Sequence, residues 1–164
     1  MEASRLHQSY SPVSMRLPHL EPFDRFPLLF ITACTHDRRP LLATPAAVTL
    51  LRDIWYESLA IDDWAVGRYV IMPDHIHLFA RPGPSAKPLA KWIQGWKSIS
   101  ARQLTASRLL SSPVWQRDYF DHFVRSVDSY SEKWDYVRAN PVRAGLVSHV
   151  DDWPHQGEIH PLRF

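Results

Sequence analysis

The sequence predicts an α+β domain: a ferredoxin-like β-α-β-β-α-β antiparallel sheet with an added C-terminal helix that carries a tyrosine. Three observations predict it. Strand-like and helix-like stretches follow one another as strand, helix, strand, strand, helix, strand, helix. The two middle strands flank Pro73-Asp74, a turn pair that makes them a hairpin. Beyond the last strand, Val127, Tyr130, Trp134 and Val137 recur at helical spacing and extend the pattern by one amphipathic helix. Such a sheet can cover one face with helices and leave the other for a site.

Residues 1–24 hold three prolines and no periodicity, and read as a flexible N-terminal arm. Residues 26–35 are rich in aliphatic and β-branched side chains and form the first strand. A polar, basic loop, His36-Asp37-Arg38-Arg39-Pro40, follows. Thr44 is a suitable N-cap with Pro45 at the first helical position, and Ala47, Leu50, Leu51, Ile54, Trp55 and Leu59 form the core stripe of a helix to about residue 60.

Residues 64–72 and 75–81 are the hairpin arms. Side chains alternate along a strand, so His75, His77, Phe79 and Arg81 share one face, while Ile76, Leu78 and Ala80 enter a core on the other. Two imidazoles side by side on a rigid strand, next to a turn, are half of a metal site. Nine histidines in 164 residues yield about 0.5 such pairs by chance, so the pair alone is equally a solvated strand face.

Residues 88–104 form a second helix with Leu89, Trp92, Ile93, Trp96 and Ile99 inward, and with Lys91, Lys97 and Arg102 giving it a basic character. Residues 114–124 are irregular and end in a strand; His122 there is a further imidazole. Asp128 caps the last helix. At about 100° per residue Tyr136 lies opposite Val127, off the buried stripe, with Asn140 one turn later and Lys133 close to both. Pro141 disfavours helical geometry at Asn140; residues 141–146 add a turn of helix, closed by Gly145. Residues 148–164 read as an irregular tail packed through Trp153. One domain over residues 25–147 accounts for the core.

Composition narrows the class. The single cysteine, Cys34, excludes an intramolecular disulfide framework and a cysteine-rich zinc site, and fits a reducing, cytoplasmic setting. No apolar run reaches membrane-spanning length, and the N-terminal residues lack a hydrophobic signal core. A net charge of +2 permits a nucleic-acid partner if the positive charge is local. There is no Gly-rich nucleotide-binding loop.

Met72-Pro73-Asp74-His75-Ile76-His77-Leu78 resembles the His-hydrophobic-His motif of single-tyrosine (HUH) transposases. Tyr136-Val137-Arg138-Ala139-Asn140-Pro141-Val142-Arg143-Ala144-Gly145-Leu146-Val147 resembles the tyrosine-helix motif of one branch, the REP-associated tyrosine transposases. Trp96-Lys97-Ser98 and the stretch Trp115-Gln116-Arg117-Asp118-Tyr119-Phe120-Asp121 resemble intervening segments, so the likeness spans residues 26–147. It implies Tyr136 as nucleophile, forming a covalent 5′-phosphotyrosine and freeing a 3′-hydroxyl. It implies His75 and His77 as ligands of Mg²⁺ or Mn²⁺, with Asn140 at the third-ligand position, where many related enzymes have Gln. The implied substrate is single-stranded DNA bearing hairpins of the REP type, contacted by Arg38, Arg39, Lys91, Lys97, Arg102, Arg117, Arg138 and Arg143, with Trp92 or Trp96 for stacking. A monomer is favoured over a homodimer. Two other readings compete: a non-catalytic hairpin-binding regulator, and a metal hydrolase using His75, His77 and either His122 or a histidine of the tail, for which Tyr136 is dispensable.

Overall fold

The structure is a computed structural model that describes residues 26–164; the expected N-terminal arm lies outside the described residues. Its elements are β1 (Leu28–Cys34), α1 (Pro45–Asp62), β2 (Trp64–Ile71), β3 (His75–Pro82), α2 (Leu89–Ala106), β4 (Phe120–Val124), α3 (Val127–Arg138), α4 (Asn140–Arg143) and β5 (Gln156–Glu158). The sheet runs β4-β1-β3-β2-β5, with every neighbouring pair antiparallel. The α+β class and the order of the first seven predicted elements therefore stand. The tail, expected to be irregular, adds the edge strand β5 against β2.

Local chemistry explains the boundaries. Thr44 caps α1, its hydroxyl accepting from the Ala47 amide at 3.2 Å, and Pro45 opens the helix. The helix ends at Asp63, which adopts left-handed geometry (φ 57°). The α3 cap is Ser126 rather than Asp128: its hydroxyl accepts from the Ser129 amide at 3.1 Å, and Asp128 sits in the first turn, where a carboxylate faces the positive end of the helix dipole. Pro141 breaks the helix as expected, since α3 stops at Arg138 and α4 restarts at Asn140. Gly145 closes α4 in left-handed geometry (φ 73°), donating to Val142 O.

Helices and tail cover the sheet from both sides. On one face Ile31, Ile76 and Leu78 pack against Leu51 and Trp55 of α1 and Trp92, Ile93 and Trp96 of α2. Trp92 stacks on Trp64 (4.6 Å, 4°) and donates to Ser58 Oγ at 3.0 Å. On the other face Phe30, Val70 and Phe79 pack against Tyr130 and Val137 of α3 and Trp153 of the tail. The second face is thus half closed rather than left open. Two expected core positions differ: Val127, at the first residue of α3, and Ile99 on α2 are exposed. Among the described residues, no helix is long and apolar enough to cross a membrane.

Candidate active site

His75 and His77 stand at the start of β3, on the half-closed face, beside the Pro73-Asp74 turn. Their rings lie edge to face at 4.8 Å. Each has its Nδ1 engaged: His75 on Asp74 Oδ1 at 2.7 Å, His77 on Thr32 Oγ1 at 2.8 Å. The second Asp74 oxygen accepts from Arg38 Nε at 2.9 Å, and Arg38 also reaches Cys34 Sγ at 2.9 Å. The chain Arg38–Asp74–His75 therefore fixes one imidazole, and Thr32, directly opposite His77 in the β1–β3 ladder, fixes the other.

Burial and neighbouring cations keep the pair neutral. His77 is pushed down to about 3, first by burial and then by His75, Lys133, Arg143 and Arg38. Burial also lowers His75, partly opposed by Asp74. Burial alone would raise the Asp74 carboxyl, but the His75 hydrogen bond and the His75 and Arg38 charges together hold it below its ordinary value. Neutral imidazoles have an unprotonated nitrogen to offer, and His75, whose Nδ1–H is given to the Asp74 carboxylate, offers Nε2.

Tyr136 is 62% exposed on α3. The Arg143 guanidinium lies 4.1 Å over its ring, donates to the Tyr136 carbonyl at 2.7 Å and donates to Asn140 Oδ1. Arg143 thus ties the tyrosine to the amide one turn later, and its charge reaches His77. Lys133, one turn before Tyr136, holds its ammonium 5.0 Å over the Phe30 ring, which stacks on His77 at 5.3 Å. His122 joins the same ring cluster through Phe30 at 5.1 Å. Among the described residues, no three His, Cys, Asp or Glu side chains gather as a metal site. The candidate donors are two imidazoles and the Asn140 amide oxygen, a nitrogen-rich set that suits Mn²⁺ better than Mg²⁺.

The other basic candidates divide. Arg38 and Arg143 belong to the site. Arg39 anchors the 111–113 loop through Ser111 Oγ at 2.9 Å and Pro113 O. Lys97 is buried, its ammonium donating to Gln116 O (3.0 Å) and Asp118 O (2.9 Å), and burial brings it down to about 8. It is a structural clamp, not a surface contact. Arg138 pairs with Asp151 at 2.6 Å. Lys91 and Arg102 are exposed on α2, which packs on the opposite face of the sheet from the histidines; Arg117 is exposed in the loop before β4. Trp92 and Trp96 are core residues, 1% and 2% exposed, which removes both as stacking surfaces. Thr32 and Asp74 were not singled out in the sequence. Asp74 had a signal, a carboxylate adjoining a histidine in a tight turn; Thr32 had none, because only strand register brings it to His77.

The family model described as Transposase IS200 like matches residues 29–140, from β1 to the start of α4. The chain belongs to the IS200-like transposase family. Among curated proteins the chain is 31% identical over 107 residues to a Haemophilus influenzae protein assigned as a putative REP-associated tyrosine transposase, an alignment covering 56% of this chain and 61% of that protein. It is 27% identical over 126 residues to the REP-associated tyrosine transposase of Escherichia coli, covering 76% and 72%. Among solved structures it superposes on a REP-associated tyrosine transposase bound to a REP hairpin with TM-score 0.68 and 21% identity, over 92% of this chain and 82% of that one. A Deinococcus radiodurans crystal structure described as a transposase gives TM-score 0.53 at 19% identity, over 68% and 88%. These structural likenesses establish the shared fold.

Proposed function

We propose that this transposase cleaves and rejoins single-stranded DNA at hairpins of the REP type, with Tyr136 as the nucleophile. The observation that carries the reading is the setting of an exposed tyrosine beside a histidine pair among cations: Arg143 touches Tyr136 and Asn140, and Lys133, one turn before Tyr136, lies over the Phe30 ring that stacks on His77. The REP-associated transposases that the chain resembles, one of them bound to a REP hairpin, support the substrate class.

His75 and His77 would hold a divalent ion through Nε2, with Nδ1–H donated to Asp74 and Thr32, and Asn140 Oδ1 would join them on release from Arg143. When bound, such an ion withdraws charge from a phosphate oxygen. The chain's own residues do the rest. Tyr136 Oη attacks the scissile phosphorus and loses its proton. The new P–Oη bond replaces the P–O3′ bond, and the departing O3′ takes up a proton. Arg143 and Lys133 offset the phosphate charge from the α3 side. Attack by a 3′-hydroxyl on the phosphotyrosine runs the exchange backwards and joins strands, so the bond energy is conserved covalently and no nucleotide cofactor is required.

The test is covalent trapping of the full chain. A labelled host-genome hairpin with single-stranded flanks is incubated with Mn²⁺ and run on a denaturing gel. A shifted band that requires metal and disappears in Tyr136→Phe supports the reading. Tight binding without an adduct favours the non-catalytic regulator, and cleavage that survives Tyr136→Phe refutes the tyrosine mechanism.

A further inference from the structure

Among the described residues β4 is an edge strand, and it carries the site face of the sheet outward from β1. Phe120 pairs with Thr32 across the β1–β4 ladder, and Thr32 pairs with His77 across the β1–β3 ladder. Directly opposed residues share a face, so Phe120, Thr32 and His77 form one row across three strands. With strands ~4.8 Å apart, Phe120 stands about 10 Å from His77. His122, two residues on, lies on the same face against Phe30, which stacks on His77.

Most rings on this face are covered. Phe30, Phe79 and Tyr130 are buried, whereas Phe120 is 67% exposed. An exposed apolar ring on an edge strand beside a site is a liability for adhesion, and it calls for a ligand. The setting indicates which one. Lys133 and Arg143 place positive charge on the same side, so a phosphate and an apolar planar group can be held together, the two halves of a nucleotide. A base inside a duplex has both faces covered by its neighbours; only an unpaired base can offer one to Phe120.

We propose that Phe120 is a stacking platform for an unpaired base of the strand held at the His75–His77 site, a few nucleotides from the scissile phosphate. The proposal rests on the strand-transfer reading and deepens it: the platform makes the site selective for single strands next to a hairpin.

The test compares two probes in full-length protein carrying Tyr136→Phe, so that binding stays reversible: one host-genome hairpin with single-stranded flanks, and the same hairpin blunt-ended. Phe120→Ala is expected to weaken the flanked probe by about five- to 150-fold and to leave the blunt probe unchanged, with Phe120→Trp retaining affinity. Affinity for the flanked probe within about two-fold of the parent overturns the proposal. Equal weakening of both probes overturns it too, by assigning Phe120 a structural role. A dimer that Phe120→Ala converts to monomer, read by light scattering, overturns it by giving the ring a protein partner. Adduct formation by the chain with Tyr136 intact, measured in parallel, reports on the strand-transfer reading separately: an adduct with no Phe120 effect leaves that reading standing and removes only the platform.

Discussion

Asp74→Asn is the sharpest probe of how the histidine pair is held. In the native chain one carboxylate oxygen receives His75 Nδ1–H at 2.7 Å and the other receives Arg38 Nε–H at 2.9 Å. Two donors converge, and only a group with two acceptor oxygens satisfies both. An amide has one acceptor and one donor. If its oxygen stays with Arg38, its NH₂ faces His75 Nδ1, forcing the proton onto Nε2, the atom needed for a metal. If its oxygen stays with His75, its NH₂ opposes the guanidinium. Losing such a histidine partner costs about 10- to 100-fold in metal affinity, or roughly 1.4–2.8 kcal/mol. Stability should move far less: Arg38 is half exposed, and an exposed ion pair contributes only about 0–1 kcal/mol. The assay is Mn²⁺ titration followed by electron paramagnetic resonance of the free ion, alongside thermal unfolding. Mn²⁺ binding by Asp74→Asn within about two-fold of the parent would refute the reasoning, as would failure of the parent to bind Mn²⁺.

Thr32→Val keeps the shape of the side chain but removes the His77 Nδ1 partner; Mn²⁺ affinity should again fall about 10-fold or more, with secondary structure intact by circular dichroism. Lys97→Met strips two carbonyls of their donor and should destabilise by about 1–3 kcal/mol in urea unfolding, while the hairpin affinity of the folded fraction stays that of the parent. Trp92→Ala empties a fully buried site and should cost about 3–5 kcal/mol; a loss below that range would show that α1 and α2 close over the gap. Gly83→Ala would drive a Cβ into the Asp63 carboxylate, which the Ser85 amide holds at 2.7 Å, and should lower stability by about 1–3 kcal/mol, read from the same urea transition.

Much of the fold was legible because its signals are local. The Thr44-Pro45 start, the Pro73-Asp74 turn, the alternation at the start of the second arm and the Pro141 break each act within a few residues, and each appears in the structure. The histidine face and the off-stripe tyrosine were legible for the same reason. What could not be read depends on register and on the third dimension. Thr32 meets His77 only after β1 slides to its place beside β3. The basic helix face looked like a phosphate track, yet Lys97 turns inward to two carbonyls contributed from 19 and 21 residues away. Tryptophans at helical spacing carry the same letters whether they stack on bases or on each other; packing between α1 and α2 decided for the core. Ser126 won the cap from Asp128 because the helix begins two residues earlier than the acidic residue suggested.

The tail strand redraws the boundary of what must fold together. The family match ends at residue 140, but Trp153 donates to Ile71 O at 3.0 Å, β5 lies along β2, and Leu162 sits where a Cβ on Gly67 would have to go. Tyr130, which helps seat the tyrosine helix, contacts Phe164 at 5.8 Å. A chain cut after residue 147 would keep every motif named above and still lose the wedge under β2. The smallest unit that preserves the catalytic residues is therefore shorter than the smallest unit that preserves their support, and segments carrying no recognisable chemistry set the limits within which this protein can be trimmed, fused or recombined.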